Sequence, residues 1–376
     1  MNLSRLKHVV PSLAVGSTIV LTLLLLLTGT ARTDRLDTNP VFAAPGGTGD
    51  CSQAAPCDLQ TAVGTAADGG TLVLAEGVYT GTGPAVLSLT QSITIFGGWD
   101  GTTTVPPLRD ADTYPTTIDG QGMRRCIRAE GPASILIEGL TIAHGTVMST
   151  TPTGWDGAGL YGRGVTLTLR HVNVYSNVVD VYDVDDSAAY GGGVAMNGGT
   201  LLAEDCAFRW NSAWARSVTF GGGLSISGTV AATVTRSLFQ DNDAWHSGGL
   251  YFRGDTHSAL SVDRCSFIDN GRGHSRGRAY GGYAAALEVR NARARIENTL
   301  IKDNSVANDL GALHVADSDL CLTRNVITGN WAGRTSGMDL LNVSPLTVTN
   351  NIVADNVSRR SWLELPAVRL RGGTGH

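Results

Sequence analysis

From residue 140 onward the chain repeats itself, and the repeat leaves few folds open. Its strict copies are Phe208-Arg209-Trp210-Asn211, Phe239-Gln240-Asp241-Asn242 and Phe267-Ile268-Asp269-Asn270. Looser copies end at Asn177, Asn304, Asn330 and Asn356, and Ile142 to Gly145 is a degenerate first one. The seven asparagines are spaced 34, 31, 28, 34, 26 and 26 residues apart. A glycine pair opens several units, as in Gly192-Gly193-Val194, Gly222-Gly223-Leu224 and Gly248-Gly249-Leu250. Each unit holds three short strands and three turns, with no segment of helical period. Parallel strands in one sheet need a crossover of a dozen or more residues. So short a unit supplies one only by coiling, each strand stacking on its equivalent one turn later. The expected fold is all-β, a parallel β-helix.

The repeated residues then take physical roles. Val174, Phe208, Phe239, Phe267, Ile301, Ile327 and Val353 are expected to stack as one apolar ladder inside the solenoid. The asparagines are expected at a turn, where a short amide satisfies backbone groups and tolerates left-handed conformations. Asp58 followed by Leu59, Ala62, Val63 and Ala66 predicts a short helix over Cys57 to Ala67 that caps the first coil. Thr71 to Ala75 and Ser92 to Phe96 read as strands of the first coils. Pro366 to Leu370 begins one more coil with no polar cap after it, the pattern of a fragment or of an end that pairs with a partner.

Arg5 and Lys7 precede an apolar run from Val9 to Thr28, which reads as an export signal or a retained membrane anchor. Cleavage would follow Ala31 or fall near Ala43 and Ala44. Residues 1–44 are therefore assigned to signal or anchor plus linker and 45–376 to the solenoid, placing it in a secreted or cell-surface location. Six cysteines fit an oxidising compartment: Cys51 and Cys57 are the expected disulfide, and Cys126, Cys206, Cys265 and Cys321 the expected buried thiols. The formal charge of −5 argues against nucleic acid as a partner. Contact with a membrane is expected only through an uncleaved N-terminus.

These residues resemble the right-handed parallel β-helix superfamily that includes pectate lyases, over roughly residues 46 to 376. The Gly-Gly-apolar and Phe-x-x-Asn pairing is similar to repeats of polymorphic outer-membrane proteins. The resemblance implies a right-handed solenoid presenting a loop-rich face to a polysaccharide or cell-surface glycan. The inserts between each asparagine and the next glycine pair are expected to line up on that face. One carries Asp180, Asp183, Asp185 and Asp186, oxygen ligands suited to Ca²⁺. The next carry Trp214, Arg216, Trp245 and His246, where aromatic faces would receive sugar rings. A fourth carries Arg272, His274, Arg276 and Arg278, able to pair with uronate carboxylates. The reading is non-catalytic recognition through Trp214, Trp245, Arg216 and Arg278. The alternative is a Ca²⁺-dependent polysaccharide lyase, with Arg276, His274 or His246 abstracting the proton beside a metal-polarised carboxylate. The carboxylate order of polygalacturonases is not reproduced. Gly157 to Gly162 matches a dinucleotide-binding glycine pattern, yet no helix follows it.

Overall fold

The computed structural model describes residues 39–149, 154, 156–271, 285–306, 310–358 and 367–372. The apolar run and the Ala31 site fall outside them. Equivalent residues pair in parallel from coil to coil: Leu160, Val194, Leu224, Leu250, Leu287, Leu313, Met338 and Val368 form one continuous column. The chain is a right-handed parallel β-helix. Among the described residues it has an 18-stranded sheet, a 10-stranded sheet and smaller sheets of three, three and two strands. The long sheet takes two strands from most coils, the one after the glycines and the alternating one that follows. In Leu224–Thr235 they run as a single strand, whereas the next coil splits them into Leu250–Arg253 and Ala259–Asp263.

The expected apolar ladder lies along the ten-stranded sheet. Val174, Phe208, Phe239, Phe267, Ile301, Ile327 and Val353 are successive cross-strand partners. The three phenylalanine rings stack face to face, 4.6 Å apart at each step and within 6° of parallel. Beside them Asn177, Asn211, Asn242, Asn270, Asn304 and Asn330 form a fully buried amide ladder. Each Nδ2 donates to the Oδ1 of the next asparagine, at 2.8–3.0 Å.

The left-handed residue of this corner is the one before the asparagine. Ser176, Trp210, Asp241, Asp269, Asp303 and Asp355 have φ between +51° and +57°. The asparagine closes the turn from inside while its neighbour carries the unusual backbone. Glycines serve the next corner in two ways. Gly221 adopts φ +62°, and at Gly193 a Cβ would lie 2.5 Å from the Gly223 carbonyl oxygen.

At the N-terminal end the helix runs over Leu59–Thr65, shorter than expected. Asp58 caps it by accepting from the Gln60 and Thr61 amides. Leu59, Ala62 and Ala66 join the solenoid core, and Cys51 is bonded to Cys57. One boundary needs correcting. Val41–Ala43 is already a strand of the long sheet, paired with Leu72 to Leu74, so the solenoid begins before residue 45 and a cut after Ala44 would remove that strand. Far along the chain, Val368–Arg371 pairs with Met338–Leu341, the extra coil the sequence suggested.

Cys126, Cys206 and Cys265 are buried, and that burial pushes each thiol up to about 12. Cys321 departs from expectation: it is only half-buried, on the outer side of its strand. In the folded protein a thiol-specific chromogenic reagent is therefore expected to modify Cys321 alone, and all four free thiols after unfolding in urea. Rapid modification of a second thiol in the native state would contradict this burial.

Candidate functional site

The inserts do line up between coils, as short strands. Val178–Val181 pairs with Ser212–Ala215, Ala188–Tyr190 pairs with Val218–Phe220, and bridges continue to Asp243 and His246. This registry scatters the four aspartates. Asp180 lies on a strand opposite Trp214. Asp183 accepts from the Ser149 hydroxyl at 2.7 Å. Asp185 is paired with Arg216 at 2.5 Å, out in solvent, and Asp186 occupies a left-handed turn position. No three His, Cys, Asp or Glu side chains among the described residues come together as metal ligands. The four aspartates are thus not brought together around one point, and Arg216, expected to bind ligand, is engaged with Asp185.

Trp214 and Trp245 lie on neighbouring coils, two residues beyond the Ser212–Asp243 bridge, and both are half-buried. The Trp245 indole nitrogen is buried without a hydrogen-bond partner. Arg272, His274, Arg276 and Arg278 fall outside the described residues. His246 stacks on Phe220, with centroids 4.7 Å apart, and Phe220 in turn stacks on Tyr190 at 5.0 Å. Its Nδ1 sits 3.2 Å from Glu288 Oε2.

That contact opens a buried ionic ladder. Tyr251, Glu288, His314 and Asp339 are successive partners on adjacent strands. Glu288 and Asp339 are both fully buried. Arg290 Nε donates to Glu288 at 2.6 Å. Asp339 receives His314 Nδ1 at 3.1 Å, Arg369 Nε at 2.5 Å and Arg371 Nη2 at 2.7 Å. Burial works to raise the Glu288 pKa. The His246 hydrogen bond and the charges of His246, His314 and Arg290 outweigh it and hold the group at about 2. Asp339 is likewise held well below the carboxylate range: burial opposes this, and its bonds from His314, Arg371 and Arg369 prevail.

A carboxylate depressed in the folded state stabilises it above the unfolded pKa and loses that contribution as pH falls. For Glu288 the loss runs from the ordinary 4.5 down to about 2. The melting temperature is expected to drop across that window, and a Glu288→Gln variant to start lower at neutral pH and fall less steeply. Parallel melting curves for the two proteins would contradict the ladder's role.

The described residues also form an open trough of about 530 Å³ on the outer face of the long sheet. Its floor is made by the small residues Ala231, Thr233, Ala259 and Ser261, paired across two strands. The next strand puts Arg293 opposite Ala259 and Arg295 opposite Ser261, and the one after puts Asp319 and Cys321 opposite the arginines. Both arginines are exposed. Arg295 Nε donates to Glu297 at 2.7 Å, whereas Arg293 has no ion pair within 4.0 Å among the described residues. Period-two alternation explains the arrangement, because the partners of these residues along each strand (Ala232, Leu260, Ala294 and Leu320) point into the core. Asp319 is the one carboxylate on the described lining, and glycoside hydrolysis draws on a pair.

No family model matches the sequence, and no curated protein matches it either. Among solved structures, a crystal structure of pectate lyase Pel9A is similar in outline. The two share 12% identity at a TM-score of 0.42, over 89% of this chain and 80% of that one. The fold assignment rests on the strand registry itself.

Sequence reasoning reached His246 but not the trough or the ionic ladder. The ladder had a visible signal. Leu287-Glu288-Val289, Leu313-His314-Val315 and Met338-Asp339-Leu340 each set one ionisable residue between apolar ones, at a position that stacks once the coils are aligned.

Proposed function

We propose that this chain is a non-catalytic recognition protein, acting outside the cytoplasm, whose trough holds a stretch of an acidic polysaccharide. The observation that carries the reading is the pair Arg293 and Arg295, two residues apart on one strand and facing a floor of small side chains. The small floor admits an extended chain against the sheet, and guanidinium groups present paired donors to carboxylate or sulfate. From Thr233 to Thr347 the trough crosses five strands, so it runs roughly 19 Å along the axis at about 4.8 Å per step. The apolar N-terminal run and the Cys51–Cys57 disulfide support a location beyond the cytoplasm.

The test compares two double variants by calorimetric titration with polygalacturonate and with a sulfated polysaccharide. Arg293→Ala/Arg295→Ala is expected to weaken binding by roughly a hundredfold, at about tenfold per lost ionic contact, and to leave the melting temperature alone, since both side chains are exposed. Trp214→Ala/Trp245→Ala is expected to bind as the parent does. The opposite pattern would move the site to the insert face that carries Trp214, Trp245 and Arg216.

A further inference from the structure

We propose that a second binding site, for the apolar face of a neutral sugar chain, lies along the corner strip of His144, Tyr175 and Trp210. Position by position, this corner carries His144, Ser176, Trp210, Asp241, Asp269, Asp303, Gly329 and Asp355, all with φ between +51° and +66°. Aspartate, serine and glycine suit that left-handed backbone, whereas a bulky aromatic residue is strained there. Trp210 nevertheless occupies it, and the residue is 49% exposed. Burial therefore does not account for the tryptophan. A bulky residue held against its backbone preference, with a large apolar face in water, points to a function for that face.

Its neighbours extend an aromatic strip along the solenoid axis, each ring turned edge-on to the next. Trp210 packs edge-to-face on Tyr175 at 5.2 Å between centroids, and Tyr175 on His144 at 5.9 Å. Asp119 Oδ2 lies 3.2 Å from His144 Nδ1 and fixes the last ring. Each ring comes from a different coil, so the strip advances about 4.8 Å at a time, close to the length of one pyranose in a chain. Arg209 and Ser176 flank the rings and supply hydrogen-bonding groups for sugar hydroxyls. Aromatic faces with polar groups between them match the alternating CH faces and hydroxyls of a glycan. Three rings fall far short of the roughly 800 Å² per partner that a protein interface uses.

The strip lies at the far edge of the ten-stranded sheet from the trough, carries no cation pair and does not depend on the acidic-polysaccharide reading. The informative variant is Trp210→Asp, which installs the residue that four other coils hold at this corner. Xylohexaose, mannohexaose and cellohexaose are titrated calorimetrically into the full chain, into Trp210→Asp and into Arg293→Ala/Arg295→Ala. At least one hexasaccharide is expected to bind the parent and the double arginine variant alike, and to bind Trp210→Asp roughly tenfold or more weakly. The melting temperature of Trp210→Asp is expected within about 3 °C of the parent. Three results would each overturn the proposal: no binding of any hexasaccharide to the parent, affinity unchanged within about twofold in Trp210→Asp, or a collapse of its melting temperature, which would make Trp210 a structural residue. Loss of acidic-polysaccharide binding in the arginine variant bears only on the trough.

Discussion

Asn242→Ala is expected to destabilise the solenoid by about 3–5 kcal/mol. The side chain is fully buried and makes four hydrogen bonds. Its Oδ1 accepts from the Asn211 amide at 3.1 Å and from Asn211 Nδ2 at 3.0 Å. Its Nδ2 donates to the Phe208 carbonyl at 2.8 Å and to Asn270 Oδ1 at 3.0 Å. Alanine removes all four, taking the acceptor from two donors of Asn211 and the donor from the Phe208 carbonyl on one side and from Asn270 Oδ1 on the other. An unsatisfied buried polar group costs about 1–3 kcal/mol, so partial relaxation still leaves a large effect. Urea denaturation followed by far-ultraviolet circular dichroism measures it. A loss below about 1 kcal/mol would mean that the ladder fills space without bonding the coils.

Phe239→Ala should cost a similar amount, about 3–5 kcal/mol, for a different reason. The ring is fully buried between Phe208 and Phe267, 4.6 Å from each. Removing it opens a cavity in the middle of a stack whose neighbours are pinned by strand registry and have little room to collapse. Phe239→Leu fills most of that space and should cost about half as much or less. Equal losses for the two variants would show that the face-to-face ring geometry, and not the filled volume, supplies the stability. Each coil contacts mainly its neighbours, so both lesions sit where the solenoid has no alternative packing.

The parts of the fold that the sequence announced are those that recur at one position in every coil. Phe-x-x-Asn marks an inward aromatic residue and a buried amide, and both stand where the pattern placed them. The left-handed residue stands one place before the expected asparagine, since aspartate and asparagine share a tolerance for that backbone. In Asp241-Asn242 the aspartate holds it while the amide turns inward. Val41 to Ala43 falls within the expected linker because three residues are too few to show alternation.

The candidate site was harder to read, since its features depend on registry across inserts of unequal length. Asp180, Asp183, Asp185 and Asp186 are close in sequence, yet one lies on a strand and the others on a turn, so proximity did not become convergence. Ala231 and Ala259 carry no hydropathy signal, and the trough they floor exists only once their strands are set side by side. Glu288, His314 and Asp339 are 26 and 25 residues apart in the chain and adjacent in the fold.

The most direct test follows polygalacturonate with the full-length chain in one cuvette, recording binding by light scattering and unsaturated products by ultraviolet absorbance, with Ca²⁺ and with chelator. The expected result is saturable binding that weakens as salt is raised, as ionic contacts to an exposed arginine pair must, with flat product absorbance in both conditions. A Ca²⁺-dependent rise in absorbance would contradict recognition without turnover and make the chain a lyase. Binding that is indifferent to salt would contradict the arginine-lined trough.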